Sequence, residues 1–205
     1  MNYLESSEYE SYGLEATTLT SWVAAASALI DAHCRRGTLG VAQYTERIRT
    51  SGCHRLRLSY LPLATVSPAT SPVIVARGRY GAARKGEGIE LLSELAQVFA
   101  LPGTWSTLDV ASIDFDAQTG ELTLPLLPLA LPYDEVEITY NAGFATVPEP
   151  LKHACALIVK NAQATPALNV KRQSMSKAHL DYFAPSLIDD SVRELLAPYV
   201  AQKVA

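Results

Sequence analysis

The sequence predicts an α+β fold: a predominantly α-helical bundle core with an inserted, protruding antiparallel β region made of hairpins. Three observations carry this. Amphipathic segments, the first of them rich in alanine, stand near both ends of the chain and at Leu151–Ala162. Short alternating segments separated by glycine and proline fill the middle, about residues 42–140. The two patterns meet in Val136–Lys160, where strand, glycine turn and helix follow directly on one another.

In that central stretch Val136, Ile138 and Tyr140 alternate with Glu137 and Thr139, the period of a half-buried strand. Asn141 and Gly143 tolerate positive φ and end it. Pro148 and Pro150 mark a helix start, where a missing N–H costs little, and Glu149 faces the positive end of the helix dipole. Leu151, Ala154, Cys155, Ile158 and Ala162 then form one apolar face.

The earlier chain gives a short helix at Ser6–Tyr12 stopped by Gly13. A second helix follows at about Ser21–Cys34, capped by Thr18 or Thr20, with Trp22, Ala26, Leu29, Ile30 and His33 on one side. Strands are expected at Gln43–Arg49, at Arg55–Tyr60 and at Pro72–Tyr80. In the last of these Val73, Val75 and Arg77 should share a face. Ser51-Gly52 reads as a turn, Gly78–Gly88 as a loop and Ile89–Phe99 as a short helix. Val110–Phe115, a turn at Asp116–Gly120 and Glu121–Leu126 form a hairpin. Asn169–Lys177 reads as a loop, Ala178–Phe183 as a short strand, and a last helix starts at Ser191. There Ser191 and Glu194 have capping-box spacing; Val192, Leu195, Leu196 and Tyr199 share a face until Pro198 ends it.

Composition narrows the function. The 205 residues are 48% hydrophobic, enough for a core, and a net charge of −4 does not suit a dedicated nucleic-acid binder. Glu5, Glu8 and Glu10 stand where a signal peptide would be basic, and prolines break the apolar run Leu122–Tyr133, so a soluble, cytosolically made chain with no membrane partner is expected. Three cysteines point to reduced thiols rather than a disulfide framework.

Chemical motifs are weak. His33-Cys34, Cys53-His54 and His153 with Cys155 lack metal-ligand spacing, and neighbours in a regular element point apart. The Gly78–Gly88 loop lacks the order of a phosphate-binding loop. Asp114 and Asp116 read as turn formers rather than an acid–base pair. No nucleophile motif is present. Neither catalytic residue, metal nor cofactor is assigned, and the chain is not expected to be an enzyme. Arg77, Arg79, Arg84 and Lys85 could contact a nucleic-acid backbone or an acidic partner. The proline-spaced segment Leu124–Pro132 and the last helix suit docking.

The motif YNAGFATVPEPLKHA, Tyr140–Ala154, resembles the signature of tailed-bacteriophage head–tail connector (adaptor) proteins. Further segments resemble that family in the same order: ASALID (Ala26–Asp31), YTERIR (Tyr44–Arg49), LRLSYLPLATV (Leu56–Val66), DAQTGELTL (Asp116–Leu124), RQSMSKAHLDYF (Arg172–Phe183) and LLAPYV (Leu195–Val200). The middle, about Ala69–Val110, is longer than usual, and a valine follows Pro198-Tyr199 where a basic residue is common.

The resemblance implies a single adaptor domain over residues 1–205, with a C-terminal docking segment at about 186–205. It implies a structural virion protein that forms a ring with copies of itself, typically a dodecamer. The ring would sit under the portal protein at the capsid neck and above a stopper, tail-completion or tail protein. Genomic DNA would pass through its lumen without sequence-specific binding, and assembly would take place in the host cytoplasm. Under this reading Val192, Leu195, Leu196 and Tyr199 form the portal contact. The alternative is a small cytosolic nucleic-acid-binding module using the Arg77–Lys85 loop.

Overall fold

The computed structural model describes residues 1–50, 53–66, 70–79, 105–125, 133–164, 172–175, 178–181 and 187–202. The chain divides into two compact units, one of Met1–Gly40 with Thr146–Ala201, the other centred on Val41–Ala145.

The first unit is helical. Two 3-10 turns, Ser6–Glu8 and Glu10–Tyr12, end at Gly13 (φ 71°) and take the place of the expected Ser6–Tyr12 helix. Helix α1 spans Thr20–His33 and α2 spans Glu149–Ala164. Helix α3 covers Asp190–Leu196 and runs into a 3-10 turn at Ala197–Tyr199, where Pro198 removes a donor. Helix α2 packs against both α1 and α3. Its buried stripe holds Leu151, Ala154, Cys155, Ile158 and Ala162, with Ala156 and Val159 widening it.

Some local details depart from the sequence pattern. Leu19, not a threonine, precedes α1, and its buried residues are Val23, Ala26, Ser27 and Ile30. Trp22 lies on the exposed side. The α3 cap is Asp189, which accepts from the Val192 N–H at 2.8 Å and from Asn161 Nδ2 at 3.2 Å. Tyr3 anchors the N-terminus: its hydroxyl donates to Asp31 and accepts from the Leu39 N–H at 2.9 Å. Strands β8 (Arg172–Met175) and β9 (Ala178–Asp181) pair antiparallel, so the expected Asn169–Lys177 loop contains a strand.

The second unit is built from sheets. Strands β1 (Ala42–Arg49), β3 (Val73–Arg79), β4 (Trp105–Leu108) and β7 (Glu135–Ala142) form one antiparallel sheet in the order β1-β7-β3-β4. A second sheet runs β2-β6-β5, from Arg55–Arg57, Glu121–Thr123 and Asp114–Phe115. Both line one apolar core, with Leu56, Leu58 and Leu122 beside Ala76, Val136, Ile138 and Tyr140.

These elements overturn the predominantly α-helical bundle core. The described residues contain three helices, none longer than 16 residues, against antiparallel sheets of four and three strands. The fold is sheet-rich. Physically, the β region is not a set of protruding hairpins, because β7 pairs with β1 and β3 across long loops and closes a core of its own. Local periodicity cannot register such pairing. Strand β4 had no alternating signal and was not foreseen, and Val110–Ser112 is a 3-10 turn rather than strand. A β-bulge at Ile74 shifts the alternation of β3, so Val73 and Ala76 face the core while Ile74, Val75 and Arg77 are exposed.

Glycine is required at two places. Gly143 has φ 129° where β7 ends, and its N–H donates to the Pro62 carbonyl at 2.9 Å. At Gly78 the Tyr133 ring lies so close that a Cβ would stand 2.5 Å from it. The expected Ser51-Gly52 turn, the Ile89–Phe99 helix and most of Leu124–Pro132 fall outside the described residues; Leu124 is buried.

Candidate functional site

The richest surface chemistry lies on the solvent side of the four-stranded sheet. Strand alternation puts Arg47 and Arg49 of β1, Glu135 and Glu137 of β7, Arg77 and Arg79 of β3 and Trp105 of β4 on that side. The opposite residues, Ile48, Val136, Ile138, Ala76 and Leu108, turn into the core.

Register brings the charges together. Arg47 stands across from Glu137, and Arg79 across from both Glu135 and Trp105. Glu135 takes two guanidiniums, with Arg47 Nε at 2.6 Å and Arg79 Nε donating at 2.6 Å. Arg77 Nε donates to Glu137 at 2.8 Å. The Arg47 and Arg79 guanidinium carbons lie 5.1 and 5.0 Å from the Trp105 ring centroid, in cation–π range. Arg49 is exposed and has no ion-pair partner among the described residues. Among these strand residues four arginines stand against two glutamates, an excess of two positive charges.

Partial burial pulls the Glu135 carboxyl upward, but the Arg79 hydrogen bond and the Arg47 and Arg79 charges outweigh it and hold the group below its ordinary value. A depressed folded-state pKa adds stability at pH above the unfolded carboxylate value, and that stability is lost as pH falls through the folded value. Acid titration of the wild type should therefore weaken the sheet unit below the ordinary carboxylate range. Glu135→Gln should flatten that acid limb, and high salt should shrink the difference. An acid limb identical in the two proteins would show that the ladder adds nothing.

The basic group expected from sequence is divided. Arg77 and Arg79 lie in β3 as ion-paired sheet residues rather than in a loop. Arg84 and Lys85 fall outside the described residues. The signal that would have located the ladder was present in the sequence: Arg47-Ile48-Arg49 and Glu135-Val136-Glu137 carry opposite charges at the same period.

Of the residues assigned to portal contact, Val192 and Leu196 are wholly buried against α2 and close the helical unit's own core. Leu195 and Tyr199 are half-buried and reach the surface, and burial raises the Tyr199 hydroxyl pKa. Cys34 and Cys155 are buried, each thiol pushed up to about 11 by desolvation, whereas Cys53 is exposed. Asp116 accepts from the N–H groups of Gln118 and Thr119, shaping the turn that Gly120 completes at φ 69°. Among the described residues no His, Cys, Asp and Glu group is arranged to hold a metal ion, and no helix is long and apolar enough to cross a membrane.

Comparison with known protein families and with curated protein sequences finds no match to this chain.

Proposed function

We propose that this chain is a structural subunit of a tailed-phage head–tail connector. It would form a ring on a portal at the capsid neck, receive a tail-completion or tail protein on its other side, and let DNA pass through. The observation carrying this reading is the stretch that resembles the connector signature. Tyr140–Ala154 supplies the end of β7, a strand paired on both edges, and the start of α2, on which α1 and α3 pack.

The nucleic-acid alternative has less support. Arg77 and Arg79 are bound to Glu137 and Glu135, and those carboxylates would repel a phosphate backbone.

Leu195→Ser with Tyr199→Ser tests the docking role of α3 without emptying the core. Binding to purified portal rings should fall about tenfold or more, the equivalent of about 1.4 kcal/mol. Electron microscopy of the wild-type mixture should show rotationally symmetric rings seated on the portal. Unchanged binding by the double variant would remove α3 from the interface. A wild-type chain that never joins a portal would end the connector reading.

A further inference from the structure

The solvent side of the four-stranded sheet carries more than its internal ion pairs need. Arg49 is unpaired among the described residues, and Arg47 and Arg77 keep about half of their side-chain surface in water. On β3, Ile74 and Val75 are 45% and 43% exposed beside Arg77. A basic surface bordered by exposed β-branched residues fits a protein partner that offers carboxylates and apolar groups together.

The same chain offers that complement. No lysine or arginine precedes Arg35, while Glu5, Glu10 and Glu15 are exposed. Lys152 binds Glu8 and Lys160 Nζ lies beside Gly13, but neither forms an ion pair with those three. Leu19 and Trp22, 64% and 37% exposed, follow directly in sequence.

We propose that the basic sheet face of one copy receives the acidic N-terminal segment of a second copy. The sheet face is a poor partner for itself, because its excess of arginines would bring like charges together. The N-terminal segment is excluded from self-pairing for the same reason. Two unlike patches satisfy each other either reciprocally across a two-fold axis or head to tail, and the second arrangement closes into rings or runs on as filaments. A nucleic acid is the poorer occupant, since the exposed Ile74 and Val75 offer phosphate nothing, whereas Leu19 and Trp22 beside the acidic residues can cover them. The inference deepens the connector reading and rests on it for closure into a ring. The pairing of the two faces is a property of the purified chain alone.

Two charge-reversed variants test it by sedimentation at low salt and high chain concentration. One is Arg49→Glu with Arg77→Glu; the other is Glu5→Arg with Glu10→Arg and Glu15→Arg. The wild type should self-associate, and more weakly as salt rises. Each variant alone should associate about tenfold more weakly or less still. An equimolar mixture should restore association, because each supplies the face the other now needs. Restoration also shows that both variants are folded. A wild type that stays monomeric, variants that associate as well as wild type, or a mixture that fails to recover would each overturn the pairing. So would binding of a DNA oligonucleotide that Arg49→Glu with Arg77→Glu abolishes, which would make nucleic acid the occupant. Association through another surface would overturn the pairing and leave the connector reading standing. A chain that neither associates nor binds a portal fails both.

Discussion

Leu196→Ala is expected to destabilise the helical unit by about 2–5 kcal/mol, the cost of a cavity where a fully buried leucine is cut back. Leu196 and Val192 are the inward side of a helix of only seven residues, and Asp189 fixes its start. So short a helix has little stability of its own and depends on this packing. Thermal melts should show a clear loss for Leu196→Ala and a small one for Leu195→Ser. Equal losses would mean that α3 is not seated as described. For the same reason, truncation after Ile188 is a poor test of portal docking: it removes the buried side chains of Val192, Leu196 and Ala201 along with any docking surface.

Tyr140→Phe is expected to cost the sheet unit about 1–3 kcal/mol, although it removes a single oxygen. The Tyr140 hydroxyl donates to Glu46 at 2.6 Å and accepts from the Tyr60 N–H at 3.3 Å. Burial first, then the Glu46 bond, raises the pKa of this hydroxyl far above its ordinary value, so it stays a donor at any working pH. Phenylalanine would leave a partly buried carboxylate and an N–H short of partners. Tyr44 stacks on Tyr60 with ring centroids 4.0 Å apart, so the loss would reach a neighbouring aromatic pair. Denaturant unfolding of Tyr140→Phe, Glu46→Ala and the double variant forms a cycle, since alanine leaves no acceptor for the hydroxyl. A coupling near zero between the two positions would show that the bond contributes nothing.

Both results bear on the segment that resembles the connector signature. Tyr140 lies at the end of the strand in that segment and Leu151–Ala154 at the start of its helix. The strand and helix residues of the signature therefore fix the middle of each unit.

The amino-acid sequence by itself determined the strand–turn–helix at Val136–Lys160, the inward face of α2, the turn at Asp116–Gly120 and, to within one residue, the extent of β1. Each depends on periodicity or backbone preference within a few residues, which side-chain type encodes directly. Tertiary structure decided the rest. It paired β7 with β1 and β3, so that a sheet-rich unit stands where hairpins on a helical bundle were expected. It turned Val192 and Leu196 inward and Trp22 outward, because an amphipathic pattern does not say which neighbour covers it. It gathered Arg47, Arg79, Glu135 and Trp105 from four strands onto one face. Pairing between distant segments depends on the whole chain closing around its core, and no short window of sequence contains that information.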